Sequence, residues 1–308
     1  ILANLIMTGQ IPAPTGDEKD RAKYVSERFS ASGLEDIGLD SAGNVFGRLP
    51  GSQGRRTVGI FAALDTPFSR EVDHHLEVTE TKVIGPGVAY DSLAASTLVS
   101  LAEFLVEGNM PIKDDILFVG LAKCSNQSDQ EGMRVFLESH PSELSWTLML
   151  ESIGLGRLSY FSFGSLKFDF LVDMQQSLAP PPGVIGPSSA INVLADAVNL
   201  LLSIELPRRP KAVLNLGLIE GGESHSSWAN KARLGAEIRS ESADVLQRVE
   251  EEVDEITGHL CSYYSCDVKL NKFGRRINCG MRFSHPMVRT LRRIMQAIDV
   301  DPSPGPDS

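Results

Sequence analysis

Basic side chains are scarce in this chain: 29 lysines and arginines stand against 40 aspartates and glutamates, a net charge of −11. That balance argues against nucleic acid and against an anionic membrane as partners, because both select basic patches. Cysteine is scarce too, with four in 308 residues (Cys124, Cys261, Cys266, Cys279), which excludes a disulfide-stapled scaffold. Cys261 and Cys266 lie near His259, but they fall at the end of a helical pattern and the start of a strand. They read there as structural thiols rather than metal ligands. Long apolar runs are also missing. The best, residues 197–206, is broken by Asn199, Ser203 and Glu205, so no bilayer-spanning helix is expected. Nothing at the N-terminus reads as a signal peptide, although a start at Ile1 rather than Met leaves room for a lost upstream piece. The expected location is the cytoplasm.

What is present is an ordinary globular composition, 42% hydrophobic and 22% charged, over a length that suggests two domains. Two stretches organise it: IFAALD at residues 60–65 and GPGVAYDSLA at residues 85–94. The first is an apolar β-run ending in a polar turn, and the second is a Gly-Pro-Gly loop opening onto a helical pattern. Asp65 and Asp91 stand at the two mouths. In open α/β sheets, sites form outside the carboxyl ends of strands, so both mouths should face one cleft.

Thr15-Gly16-Asp17-Glu18 reads as a capping box before a helix at residues 18–32, which Gly33 should end. Residues 40–45 form a turn into a strand at 45–49. Further strands are expected at 58–64, 115–122 and 147–151, with helices at 93–106 and 133–137. This alternation predicts an α/β fold with a mostly parallel, helix-covered sheet. From about residue 162 the pattern becomes strand (166–173), helix (189–204), two strands (212–219, 231–239), a long acidic helix capped by Ser242, and a strand (267–273). That order is a ferredoxin-like α+β unit. A helix at 287–297 is expected to rejoin the first domain, giving a catalytic domain of residues 1–161 and 276–308 around an inserted domain of residues 162–275.

The segments IPAPTGDE (11–18), DSAGNV (40–45), ALDT (63–66), GPGVAYDS (85–92), LESIGLGRL (150–158), LIEGGES (218–224) and LGAEIRSE (234–241) occur in an order that has a counterpart. The chain resembles the zinc-dependent exopeptidases and amidohydrolases that include peptidase T, carboxypeptidase G and aminoacylase, and it does so over nearly its whole length. The resemblance implies a two-zinc catalytic domain interrupted by a lid domain that often dimerises.

Two-zinc hydrolysis needs imidazole and carboxylate ligands, a bridging carboxylate and a general base for the metal-bound water. The resemblance puts the first histidine at the slot held here by Ala63, whose methyl group cannot ligate. It leaves Asp65 as the retained orienting carboxylate, with no histidine to orient. The bridging slot is held by Tyr90, with Asp91 as a displaced substitute. The Glu-Glu pair of general base and ligand falls on Cys124 and Ser125, while Glu151 matches the next ligand slot. The last family histidine would lie past Ser308. Cys124 as a replacement nucleophile would want a nearby base, and no histidine is close in sequence. It therefore reads as a small cleft-lining residue. The lid departs as well: Gln175-Gln176-Ser177 stands where a Gly-Gly-His-Ser motif is usual, and Ser226 beside His225 stands where asparagine is usual. His225 reads as an exposed turn residue, and Asp73-His74-His75 as a solvated face rather than a relocated metal site.

The function expected is a peptidase-fold protein whose two-zinc site is mostly lost. It would be a non-hydrolytic pseudoenzyme binding a peptide, small amide or partner, with no cofactor. Two alternatives stay open: a zinc-dependent hydrolase rebuilt around Asp65, Asp91 and Glu151, and a structural subunit that homodimerises through the lid.

Overall fold

The computed structural model describes residues 1–308 except 126–129, 141–143, 153, 175–188 and 308. Gln175-Gln176-Ser177 therefore lies outside the described residues. By Cα proximity the chain divides into two units, Ile1–Gly154 and Leu155–Ser308.

The first unit runs α1 (Leu2–Gln10), α2 (Lys19–Ser32), β1 (Glu35–Leu39), β2 (Val45–Leu49), β3 (Thr57–Ala63), a small β4–β5 hairpin (Glu77–Val78, Val83–Ile84), α3 (Leu93–Glu107), β6 (Asp115–Leu121), α4 (Glu131–Ser139) and β7 (Leu144–Leu150). Five of the strands form one sheet in the order β1-β2-β6-β3-β7. β3 pairs in parallel with β6 and β7, whereas β1–β2 and β2–β6 are antiparallel, so the sheet is mixed rather than mostly parallel. The cause is local: Asp40 Oδ1 accepts from the backbone N–H groups of Ala42 and Asn44, closing a tight turn that folds β1 back on β2.

Strand side chains alternate between faces, and both faces are covered. Ile60, Ala62 and Phe118 pack under α2 (Ala22, Val25, Phe29) and α3 (Ala94, Leu98, Val99, Ala102). Phe61, Leu117, Val119 and Leu121 pack on the other face with Phe136 of α4. One helical run, Val88–Glu107, is long and apolar enough to cross a bilayer by length and composition, which the sequence reading did not anticipate. It is broken at Ala89 and Tyr90, and its α3 part is spent on this core.

The second unit contains β8 (Arg157–Ser162), β9 (Gly164–Asp173), α5 (Ala190–Leu202), β10 (Ala212–Gly221), β11 (Lys231–Ser240), α6 (Ala243–Tyr264), β12 (Asp267–Arg276), β13 (Cys279–Gly280), α7 (Pro286–Ala297) and β14 (Ser303–Asp307). β9 to β12 form an antiparallel sheet in the order β10-β11-β9-β12. With α5 and α6 this is the βαββαβ unit read from the sequence. The core alternates along β9 through Leu166, Phe168, Phe170 and Val172 and is sealed by Val193, Leu194 and Ala197 of α5 and Val249 and Val253 of α6. Ser242 is the residue before α6, but its side chain makes no capping bond. Residues 277–308 also lie in this unit, where β13 and β14 pair with β8 in a separate small sheet.

Candidate functional site

The register of the parallel strands assembles the site. Ala63 of β3 sits opposite Leu121 of β6, and Ala62 sits opposite Leu150 of β7, so all three strands end at one edge of the sheet. Asp65, Cys124-Ser125 and Glu151 follow directly from those ends. Asp91 arrives from the irregular turn Val88–Ser92 that feeds α3.

Asp65 is 1% exposed. Its Oδ1 accepts from the Cys124 N–H at 3.1 Å, and its Oδ2 accepts from the Ser125 N–H at 2.8 Å and the Thr15 hydroxyl at 2.9 Å. The carboxylate is thus taken up as a staple for the loop after β6. Thr15 is not the expected helix cap: its hydroxyl turns away to Asp65 and lies 2.9 Å from Ser125 Oγ. The partner of the capping box acts elsewhere too, since buried Glu18 accepts through Oε1 from the Gly16 and Lys123 N–H groups at 2.7 and 3.0 Å. Asn44 completes the frame. Its Oδ1 accepts from the Ala122 N–H at 2.8 Å, and its Nδ2 donates to the Gly132 carbonyl at 2.8 Å and to Asp40. Gly132 must be glycine at this close approach, because a Cβ there would lie 1.8 Å from the Ala122 oxygen.

Beneath these carboxylates lies a cation that sequence reasoning missed. Arg21 of α2, 1% exposed, donates through Nη1 to the Leu64 carbonyl and through Nη2 to the Ile11 carbonyl, each at 2.8 Å. Its Nε is buried with no partner. Burial pulls its ionisation down to about 10, against the opposing fields of Asp91, Asp65 and Glu18. Position 21 falls on a polar helical pattern, and only its place three residues after Glu18 in the IPAPTGDE segment hinted at the site.

Burial, then the charges of Asp65 and Glu151, push Asp91 up to about 7, with Arg21 opposing. Burial and the same three carboxylates raise Tyr90, so it stays a neutral phenol. Burial, followed by Asp65, Asp91, Glu18 and Glu151, drives Cys124 far above the ordinary thiol range. A thiol held protonated is a poor nucleophile. Ala63 is buried as the last residue of β3. Ser152, next to Glu151, accepts from the Ala94 N–H at 2.9 Å and so satisfies the first turn of α3 from the end of β7.

Other singled-out residues stand apart. His74 is buried rather than solvated and bonds the Ser69 carbonyl through Nε2 at 2.9 Å, whereas His75 is exposed. His225 is exposed in its turn. His259 is exposed and stacks on Tyr263, and Cys261 and Cys266 are free, half-buried thiols.

Solved structures share this architecture. The aminopeptidase PepT of Bacillus cereus matches with a TM-score of 0.79 and 18% identity, over 100% of this chain and 84% of that one. A tripeptidase from Staphylococcus aureus matches with a TM-score of 0.81 and 17% identity, over 100% of this chain and 83% of that one. A Bacillus subtilis protein described as a dinuclear metal-binding peptidase of the M20 family matches at 0.69 and 13%, over 100% of this chain and 82% of that one. The fold is that of the M20 peptidases. No protein-family profile and no curated protein sequence matches the chain.

Within this M20 fold the donor set at the strand ends does not suit a zinc pair. Among the described residues, no three histidine, cysteine, aspartate or glutamate side chains stand together so as to hold a metal ion. Both oxygens of Asp65 already accept protein donors, and the neighbouring slots offer a methyl, a phenol, a protonated thiol and a hydroxyl.

Proposed function

We propose that this protein is an M20-type peptidase scaffold that no longer hydrolyses through two zinc ions, and that it binds a peptide, small amide or protein partner at the strand ends. The observation that carries this reading is the fate of Asp65: a carboxylate placed to orient a ligating imidazole has a methyl group two residues before it and three protein donors on its oxygens. Loss of outer-shell support alone weakens metal sites by about 10–100-fold, and here the ligands themselves are changed. Metal analysis of protein dialysed against zinc-free buffer tests it. The expected content is well below one zinc per chain, and two per chain would refute the proposal.

A second reading is favoured by Asp91. A carboxyl titrating near 7 is poised as a general base at neutral pH, so a rebuilt hydrolase would use it together with Glu151 and a metal. That reading requires turnover of dipeptides or N-acyl amino acids that Asp91→Ala abolishes. Background rates across a substrate panel would remove it.

We assign residues 162–275 as a lid and dimerisation domain inserted into a catalytic-type domain of residues 1–161 and 276–308. Its outer strand β10 carries exposed Val213 and Ile219 and could extend across a homodimer. Sedimentation as a monomer at micromolar concentration would remove the dimer. The excess of acidic groups speaks against nucleic acid and anionic membranes as partners, and the four free thiols suit the cytoplasm.

A further inference from the structure

The second unit holds two thiols that the strand-end site does not use. Cys261 lies in the last turn of α6, and Cys266 stands just before β12, five positions on. Between them Ser265 takes a left-handed backbone, φ 50° and ψ 43°, which ends the helix and turns the chain into the strand. A helix closed this way sets the side chain one residue past the left-handed position against the one four residues before it. Here those side chains are Cys266 and Cys261. Strand alternation agrees, because Cys266 shares the face of Val268 and Leu270, which packs against α6. Cys261 looks from the helix onto the same strand, and its thiol donates to the Val268 carbonyl at 3.6 Å. Both are free thiols half-buried against one core, whereas Cys279 is exposed. Burial, then the neighbouring Cys261 and Asp267, raise the Cys266 thiol, so it rests protonated until an oxidant arrives.

We propose that Cys261 and Cys266 are a reversible dithiol–disulfide pair, a modification site that hydrogen peroxide closes and a small thiol reopens. One thiolate attacks a peroxide oxygen, the O–O bond breaks, hydroxide leaves and a sulfenic acid forms. The second sulfur then attacks the sulfenic sulfur, so that the S–S bond forms and the oxygen departs as water. Two thiols and one peroxide thus become one disulfide and two waters, with two electrons passing from sulfur to oxygen. On closure Cys261 gives up its bond to the Val268 carbonyl, and a covalent tie joins the end of α6 to the start of β12. The inference is independent of whether the strand ends hold zinc.

Peptide mass mapping tests this on the whole chain. The folded protein is treated with hydrogen peroxide, alkylated in denaturant and digested with trypsin, which leaves both cysteines on one peptide, residues 249–269. The expected product is that peptide lighter by two hydrogen atoms and free of alkyl groups, and dithiothreitol before alkylation restores both groups. Four other outcomes would each overturn the proposal: both cysteines still alkylated after Cys279 has been oxidised, sulfinic or sulfonic acid in place of the bridge, a bridge from either cysteine to Cys279, or a bridge between chains. Glutathione buffers separate a pair set by the fold from two cysteines that are merely near in sequence. The folded protein should keep half its bridge at a ratio of reduced to oxidised glutathione about tenfold or more above that of the urea-unfolded chain. An equal or lower ratio in the folded protein would also overturn the proposal.

Discussion

Replacing Asp65 with asparagine is the sharpest probe of the strand-end loop. The change keeps the shape of the side chain, removes one charge and turns one acceptor oxygen into an NH2 group. If the amide oxygen keeps the Cys124 N–H, the NH2 faces the Ser125 N–H, donor against donor, in a site 1% exposed. The Thr15 hydroxyl can rotate to accept, but a backbone N–H cannot. Losing one charge-assisted bond and stranding one buried N–H costs about 3 kcal/mol. For a unit the size of Ile1–Gly154 that corresponds to a melting temperature lower by roughly 6–12 °C. Urea unfolding followed by tryptophan fluorescence, to which Trp146 and Trp228 both contribute, measures the stability, and hydrogen exchange over residues 120–125 reports whether the Cys124 and Ser125 amides lose protection. A variant within about 1 °C of wild type, with those amides still protected, would show that Asp65 does not hold this loop.

Three further outcomes follow from the same neighbourhood. Asp91 holds its proton more tightly folded than unfolded, so its contribution is full below about pH 4 and drains away as pH rises toward 7. Asp91→Asn should therefore flatten the stability profile and stabilise the protein above pH 7 by on the order of 2 kcal/mol. A denaturation series from pH 5 to 8 with unchanged slope would contradict this. Cys124, half-buried and held strongly protonated, should resist an alkylating reagent at pH 7.5 while exposed Cys279 reacts, as read by peptide mass mapping; equal labelling rates would disprove the assignment. Asn44→Ala removes bonds to Ala122, Gly132 and Asp40 at once and should cost roughly 2–4 kcal/mol in urea midpoint experiments, with a loss under about 0.5 counting against its bracing role.

Much of the architecture was legible because it is local. β2 falls on the expected residues 45–49, and β3 and β6 differ by one residue at their ends. The βαββαβ order of the second unit follows from periodicity alone. α1 and β1 escaped notice: the first is a short run at the very start of the chain, and the second, EDIGL, contains the charged and glycine residues that strands usually avoid. The site was half legible. Asp65, Asp91, Glu151, Cys124 and Ser125 do converge, but what each does depends on partners far away in sequence. Thr15 has the signature of a cap and is diverted by residues 50 and 110 positions on. Arg21 looks like a solvent-facing helical residue, and carbonyls 10 and 43 positions away turn it inward. Propensity and pattern carry no record of such long-range claims on a side chain.

The bond from Ser152 to the first turn of α3 has a mechanical consequence. It couples the helix that delivers Asp91 to the strand end that delivers Glu151, so the two acidic groups cannot drift apart without uncapping a helix. A displacement of either element is therefore passed directly to the other, so the β7 end and the start of α3 move as one piece.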